Sequence, residues 1–417
     1  MSEMMQVPDG WEVKPFSSLA SINMGQSPES EFVNENQEGM AFLQGNAEFG
    51  DVNPQELYWV TVPKKTAKKD DILISVRAPV GDMNIADKEY CIGRGLSALT
   101  IKKIDHKFGF YALFQERVQL DRLAQGSTFL AIGKNDFDKL LIKYPKEKKE
   151  QEKIAKILST LDKAIESTNR LIEKEKNIKT ALMQELLTNG IDQNGQIRTK
   201  ATHIYKESEL GLIPDEWEVV SLEKHTDITK LAGFEFTEYF NYEEEGEIIA
   251  LRALNVSNGQ IILSDIKTIP LDTSNKLPRS KLYIGDILFT YVGTLGEVAL
   301  IEENNKYHLA PNVAKISVKD TNELLPKFIL IYLMSYSGQQ QIKNLSTTTS
   351  QPAINMENIR QIKIIITKKK KKKKIAKILT KKNKKIQTEE TNLAKLKELK
   401  KGLMNDLLSG KVRVKCL

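Results

Sequence analysis

Two stretches of the chain repeat apolar residues at intervals of three and four. The first runs from Ile154 through Ile157/Leu158, Leu161, Ile165, Leu171/Ile172, Ile178 and Leu182 to Leu186. The second runs from Ile375 through Ile378/Leu379, Ile386, Leu393, Leu396, Leu399 and Leu403 to Leu407. That spacing puts one apolar stripe on a helix. Each stripe predicts a helix of roughly 33 residues, or ~50 Å. Asn189-Gly190 and Ser409-Gly410 suit left-handed caps that stop the two helices. Elsewhere the pattern shortens to β-branched and apolar runs bounded by Gly, Pro or Asp. ILISV (72–76), ALTI (98–101), DILFTYV (286–292) and KISV (315–318) read as strands. FGFYALFQERVQLDRLA and PKFILIYLMSYSGQQQI read as helical stretches between them.

The two long stripes begin with the same word, IAKIL, at Ile154 and at Ile375. Four other blocks recur in the same order. VPDGWEV (7–13) is matched by IPDEWEV (213–219), and KDDILISVRAPVGDM (69–83) by IGDILFTYVGTLGEV (284–298). AIGKNDFDKLLI (131–142) is matched by AINMENIRQIKI (353–364), and ELLTNG (185–190) by DLLSG (406–410). Five ordered blocks mark a tandem duplication of one unit. The predicted fold class is mixed α/β: two tandem globular domains, each with a curved, mostly antiparallel sheet and each followed by a long helix. The boundaries read from the sequence are 1–150, the helix 151–190, a linker 191–210, 211–367, the helix 368–410 and a tail 411–417. A long helix with one apolar stripe needs a partner, and each has its own copy. Two equivalent units sharing a self-complementary contact predict an antiparallel coiled coil with pseudo-twofold symmetry. A rod of ~50 Å matches ~15 base pairs of B-DNA at 3.4 Å each, so domains held at its ends could address two half-sites.

Composition adds bounds. The 417 residues call for about two or more domains. A net charge of +7 permits nucleic-acid binding without requiring it. Cys91 and Cys416 read as thiols of a reducing cytoplasm. No early segment has the pattern of a secretion signal, and the longest apolar run, near Phe328–Met334, is far short of the ~20 residues that span a bilayer. A cytoplasmic location is expected.

The paired P-D-x-W-E-V starts, the D-I-L strands closing on Gly81 and Gly296, the ELGLIPDEWEVVSL junction (209–222) and the two IAKIL helices ending in LLTNG and LLSG carry a resemblance over nearly the whole chain. The pattern resembles the specificity subunit of type I restriction–modification systems. The resemblance implies two target-recognition domains, each reading half of a bipartite DNA sequence, and two helices that space them. It also implies docking of two methyltransferase subunits and association with motor-nuclease subunits. S-adenosylmethionine, ATP and magnesium would belong to those partners, not to this chain, as would the flipping of an adenine. One departure concerns the lead-in to the helices. The first keeps a Pro-x-x-Glu-Gln-like form, YPKEKKEQEKIAKIL, whereas the second has seven lysines, Lys368–Lys374. Lys382 aligns with Leu161; a charge on the packing stripe predicts a weakened start of the second helix.

Signatures of catalysis are missing from the sequence. No two prolines are adjacent, so there is no Asp/Asn-Pro-Pro-aromatic loop of an amino-methyltransferase. Gly133-Lys134 and Gly410-Lys411 are not followed by Ser or Thr, as a phosphate-cradling loop requires. His106, His203, His225 and His308 have no metal-ligand spacing. The expectation is a non-catalytic, DNA-reading chain. Two alternatives are a coiled-coil scaffold that does not touch DNA and a nuclease with a dispersed acidic site.

Candidate DNA contacts follow from side-chain chemistry. Arg77, and more weakly Arg94, could fork onto guanine. Gln44 and Asn46 pair loosely with Arg252 and Asn255, and amides suit adenine as well as turns. Ser127 and Thr128 in GSTFLA, and Thr348, Thr349 and Gln351 in STTTSQPA, could hold phosphates, as could Lys134. Asn312 is a further candidate. Lys370 and Lys371 are either a phosphate-binding patch or a solvated run. Trp11 and Trp217 are better read as core anchors than as base-stacking groups. Ala181, Met183, Ala394 and Met404 lie outside the main stripes and are candidates for docking a partner.

Overall fold

The computed structural model describes residues 7–50, 52–125, 131–347 and 351–414. They form two compact units: Met1–Arg170 with Thr391–Leu417, and Leu171–Glu390.

In the first unit the strand Trp11–Pro15 pairs antiparallel with Leu141–Pro145. A four-stranded antiparallel sheet has the order Ala20–Met24, Leu96–Ile101, Ile72–Ser75, Met83–Ile85. A second, five-stranded sheet contains Met40–Leu43 and Tyr90–Ile92 side by side in parallel. The strand Ile72–Ser75 is buried on both faces: Ile72 and Ile74 enter one core, and Leu73 enters another. A two-residue side-chain period makes this possible, which is why the run reads as continuously apolar.

The second unit repeats the plan. Glu218–Ser221 pairs with Lys363–Ile366. The four-stranded sheet runs Thr226–Lys230, Val313–Val318, Ile287–Thr290, Val298–Leu300. Beside it Ile248–Leu251 lies parallel to Tyr307–Leu309. Ile287 and Phe289 face one core and Leu288 the other.

The helical stretches between sheet and long helix each break in two. They form His106–Gln115 and Arg117–Gln125 in one unit, and Pro326–Met334 and Tyr336–Leu345 in the other. At the second break Ser335 caps the new helix, its hydroxyl accepting the Gly338 N–H at 3.3 Å. A Cβ on Gly338 would lie 2.3 Å from the Tyr332 carbonyl oxygen. Apolar periodicity cannot show such a cap.

The long helices are Lys148–Thr188 (41 residues) and Lys369–Leu408 (40 residues), longer than the apolar stripes predict. Their first turns are polar and leave no stripe, but lysine and glutamate are good helix formers. Gly190 and Gly410 end them with φ of +71° and +74°. Each cap glycine lies under a tryptophan. A Cβ on Gly190 would come 2.4 Å from Trp217, and one on Gly410 would come 3.2 Å from Trp11. Both indoles are core groups, 4% exposed for Trp11 and 0% for Trp217.

Within each unit the two long helices touch. In the first, Asp162 pairs with Lys400 at 2.5 Å and accepts the Tyr111 hydroxyl at 2.6 Å, and the Lys400 ammonium lies 5.8 Å from the Tyr111 ring. In the second, Lys179 donates to the Asn383 side chain at 2.7 Å and Lys176 pairs with Glu390 at 2.9 Å. Aligned on IAKIL, Asp162 falls on Asn383 and Lys179 on Lys400, so the same node recurs with an amide in place of a carboxylate. Lys382 lies inside the continuous helix Lys369–Leu408. Its ammonium pairs with Glu175, which also takes Lys385 at 2.8 Å. Glu175 is 5% exposed, and the two lysines hold its carboxyl below the usual range.

Candidate nucleic-acid interface

The strand registers bring one set of loops to one edge of each unit. In the first unit Met24 faces Ser97 and Ser75 faces Leu96, while Leu43 runs beside Ile92. The loops that follow residues 24, 43, 75 and 92 therefore meet. Backbone bonds fasten them: Gly25 N–H to Leu96 O at 2.9 Å, Gly93 N–H to Leu43 O at 2.8 Å, and Val76 N–H to Gly95 O at 2.9 Å. The approach is close enough to demand glycine. A Cβ on Gly25 would lie 2.2 Å from the Gly93 oxygen, and one on Gly95 would lie 2.8 Å from the Gln44 oxygen.

Gln44, Arg77 and Arg94 are all exposed on this edge, so residues 50 positions apart in sequence come together. Asn46 is half-buried and donates to Asp82 at 2.9 Å; Asp82 also holds Arg117 at 2.5 Å. Arg117, with Gln26 and Ser27 on the neighbouring loop, lies in no motif that points to this edge; strand register and the Asp82 pairing bring them there. Ser127 and Thr128 lie outside the described residues, but Ala131 pairs across from Arg77. Lys134 is exposed and opens the turn Lys134–Asp138.

The second unit builds the same edge. Lys230 faces Ala314, Thr290 faces Val313, and Leu251 runs beside Leu309. Tyr291 N–H bonds Asn312 O at 3.1 Å, Ala310 N–H bonds Leu251 O at 3.2 Å, and Val292 pairs across from Ala353. These bonds put Val292 where the first unit has Arg77, and Pro311 where it has Arg94. Asn312 is exposed in the left-handed region, φ +70°. Lys230 and Phe234 are exposed here too, Phe234 at 68%, as is Leu254 at 52%. None of the three falls in a block that recurs between the units, and none carries a sequence motif. Gln351 is exposed, and Thr348 and Thr349 lie outside the described residues.

Two candidates are engaged inside the fold. Asn255 is 0% exposed; its amide donates to the Ile262 and Asp265 carbonyls at 2.9 and 2.6 Å, and its oxygen accepts the Arg252 N–H at 3.1 Å. Arg252 turns its guanidinium onto Asp265 at 2.9 Å. The structural counterpart of Asn255 is Glu48, which likewise accepts the Gly45 N–H at 3.0 Å. Loose pairing with Gln44 and Asn46 hid this shared capping role.

The lysine run divides. Lys369 donates to Asn322 at 2.6 Å and Lys371 pairs with Glu216 at 3.1 Å. Lys372 is 2% exposed and donates to the Glu323 carbonyl, and burial pulls its pKa down. Lys370 is exposed. Among the partner candidates, Ala181 and Ala394 are exposed. Met183 lines a groove of about 720 Å³ with Leu330, Met334, Lys179 and Lys384. Met404 is 6% exposed within the first unit's core, where it packs as seam and offers no surface for docking.

Among the described residues no group of three or more His, Cys, Asp or Glu is placed to hold a metal ion, and no helix is long and apolar enough to cross a membrane. His308 is buried between the Leu277 and Leu309 carbonyls, which explains it as a core group.

Comparison with known proteins gives concordant matches. The family model described as "Type I restriction modification DNA specificity domain" matches residues 8–176 and 214–398. A Methanocaldococcus jannaschii protein that bears the name MjaX specificity subunit of a type I restriction enzyme is 40% identical over 48% of this chain; the match spans 46% of that relative. The type I restriction enzyme MjaVIII specificity subunit of the same organism is 26% identical over 99% of this chain and 95% of its own. Among solved structures, the type I restriction-modification S subunit of M. genitalium shares the fold at a TM-score of 0.62, with 18% identity over 98% of this chain and 97% of that one. A chain solved in work on assembly and conformational transition of the type I R-M system has a TM-score of 0.54 at 13% identity, over 98% of this chain and all of its own.

Proposed function

This chain belongs to the type I restriction–modification DNA specificity family, and from that premise we propose that it is the DNA-reading subunit of such a complex. Each unit is a target-recognition domain whose edge reads half of a bipartite target. The observation that carries this reading is the edge itself. Two units place the same backbone bonds under different side chains, as two readers of one architecture with separate specificities require. Arg77 and Arg94 suit guanine, and Gln44 suits adenine. Lys134, Asn312, Gln351 and Lys370, with Ser127, Thr128, Thr348 and Thr349, are assigned to phosphate or base contact.

In this reading the long helices pack as an antiparallel coiled coil with pseudo-twofold symmetry. The recurrence of Asp162–Lys400 as Asn383–Lys179 supports it. The coil sets the distance between half-sites and docks two methyltransferase subunits, with Ala181, Met183 and Ala394 as candidate contacts. Motor-nuclease subunits complete the assembly, and S-adenosylmethionine, ATP and magnesium act on those partners. The chain itself is non-catalytic and works in the cytoplasm.

Exchange of residues 211–367 for those of a relative tests modular readout. Methylation mapping, with the neighbouring methyltransferase supplied, should show one half of the target changed and the other kept. Change in both halves refutes independent reading. A scaffold that does not read DNA would show no preference for the target over random duplex of equal length.

A further inference from the structure

We propose that the second unit reads its half-site through apolar contact, with the Phe234 ring seated against thymine 5-methyl groups in the major groove. The inference rests on the reading above and assigns a chemistry to one of its two edges. On the first unit's edge three polar side chains, Gln44, Arg77 and Arg94, are exposed. At the corresponding places the second unit has Val292 and Pro311, and its nearby arginine, Arg252, is held by Asp265. A guanidinium fork is therefore not what this edge offers. It offers Phe234 instead.

Phe234 is 68% exposed. It sits on the short helix Gly233–Tyr239, four residues beyond Lys230, where the strand Thr226–Lys230 reaches the edge. Its neighbours in sequence are fixed. Phe236, Phe240 and Tyr242 pack ring against ring with centroids 5.4–6.4 Å apart, and Phe240 lies 5.8 Å from His308. The exposed ring thus lies on a helix whose next aromatics, Phe236 and Phe240, are packed together.

Charge argues the same way. Residues 231–251 contain six glutamates and no lysine, arginine or histidine. This stretch has no cation with which to neutralise phosphates. Five of these six acids are turned or placed away from the ring, and the sixth, Glu238, is exposed on the same short helix. The Glu235 carboxylate turns back to accept the Ala232 N–H at 2.9 Å. Glu243, Glu244, Glu245 and Glu247 precede Ile248, the end of the strand away from the edge. An exposed ring four residues beyond Lys230 matches the methyl that distinguishes thymine.

The test uses the full chain, with its methyltransferase, on duplexes in which uracil replaces thymine in one half-site at a time. Uracil lacks only the 5-methyl. In the second unit's half, each critical replacement should weaken wild-type binding about fourfold, the worth of one buried methyl. Phe234→Ala should weaken binding to the thymine duplex on the order of tenfold and erase the uracil penalty in that half alone. Phe234→Leu should retain part of it. A uracil penalty that survives in Phe234→Ala, no penalty at all in that half, or a half-site without any A·T pair overturns the proposal. If wild-type protein shows no preference for its target over random DNA, the function proposed above fails instead, and the two failures are distinct.

Discussion

Replacing Gly190 with alanine separates two costs that the structure places at one residue. Gly190 has φ +71°, and a left-handed backbone costs an L-residue about 1–2 kcal/mol. The added methyl would also fall 2.4 Å from the Trp217 ring, which is fully buried. Overpacking of that kind costs about 1–3 kcal/mol, so the total is about 2–5 kcal/mol. Gly211 is the control. Its φ is +84° and no heavy atom would lie within 4 Å of its Cβ, so Gly211→Ala should lose only the backbone part, about 1–2 kcal/mol. Urea and thermal unfolding of the full chain would measure both. At roughly 2–4 °C per kcal/mol for a domain of this size, Gly190→Ala should lower Tm by about 5–15 °C. Gly211→Ala should lower it by less, about 2–8 °C. Equal shifts would refute the claim that the helix cap is clamped under Trp217.

Other consequences follow from the paired helices and the tail. Asn383→Asp would restore the carboxylate found at Asp162; facing Lys179, it should stabilise the second unit by up to about 1 kcal/mol in denaturant titration. The Glu175 carboxyl is held low by Lys382 and Lys385, so its stabilisation is present above the ordinary glutamate range and is lost as pH falls through its folded-state pKa. Acid unfolding of Glu175→Gln should accordingly show a shallower loss of stability than wild type, and parallel curves would contradict the pairing. Arg413 forks onto Glu150 at 2.7 and 2.8 Å and donates to the Asp9 carbonyl at 2.5 Å. Glu150 is 3% exposed, so Arg413→Ala should cost the first unit about 1–3 kcal/mol by leaving a buried acceptor unpaired.

The parts of this molecule that the sequence predicts best are those set by local period and by repetition. The stripes of Ile154–Leu186 and Ile375–Leu407 locate both long helices, and Asn189-Gly190 and Ser409-Gly410 locate their left-handed ends. The matched Trp11 and Trp217 are the core anchors that their size suggests. The sequence is silent where one residue's meaning depends on a distant one. Lys382 reads as a fault in an apolar stripe until Glu175 is placed opposite it. Asn255 reads as a base contact until its amide is seen bound to Ile262 and Asp265. Lys372 reads as solvent-facing, yet it reaches a carbonyl inside the fold. The edge residues Gln44, Arg77 and Arg94 are individually plausible in sequence, but only strand register brings them together. Phe234 carries no signal at all, since an aromatic among aromatics reads as core.

Central to the account is a helical spacer that fixes the gap between two recognition domains. Its most direct test lengthens both long helices by one heptad at matched positions, followed by methylation mapping with the partner methyltransferase. Seven residues add about 10 Å, or about three base pairs at 3.4 Å each. The account predicts that both half-site sequences persist while the unread gap between them grows by about three base pairs. An unchanged gap, with methylation retained, would contradict it.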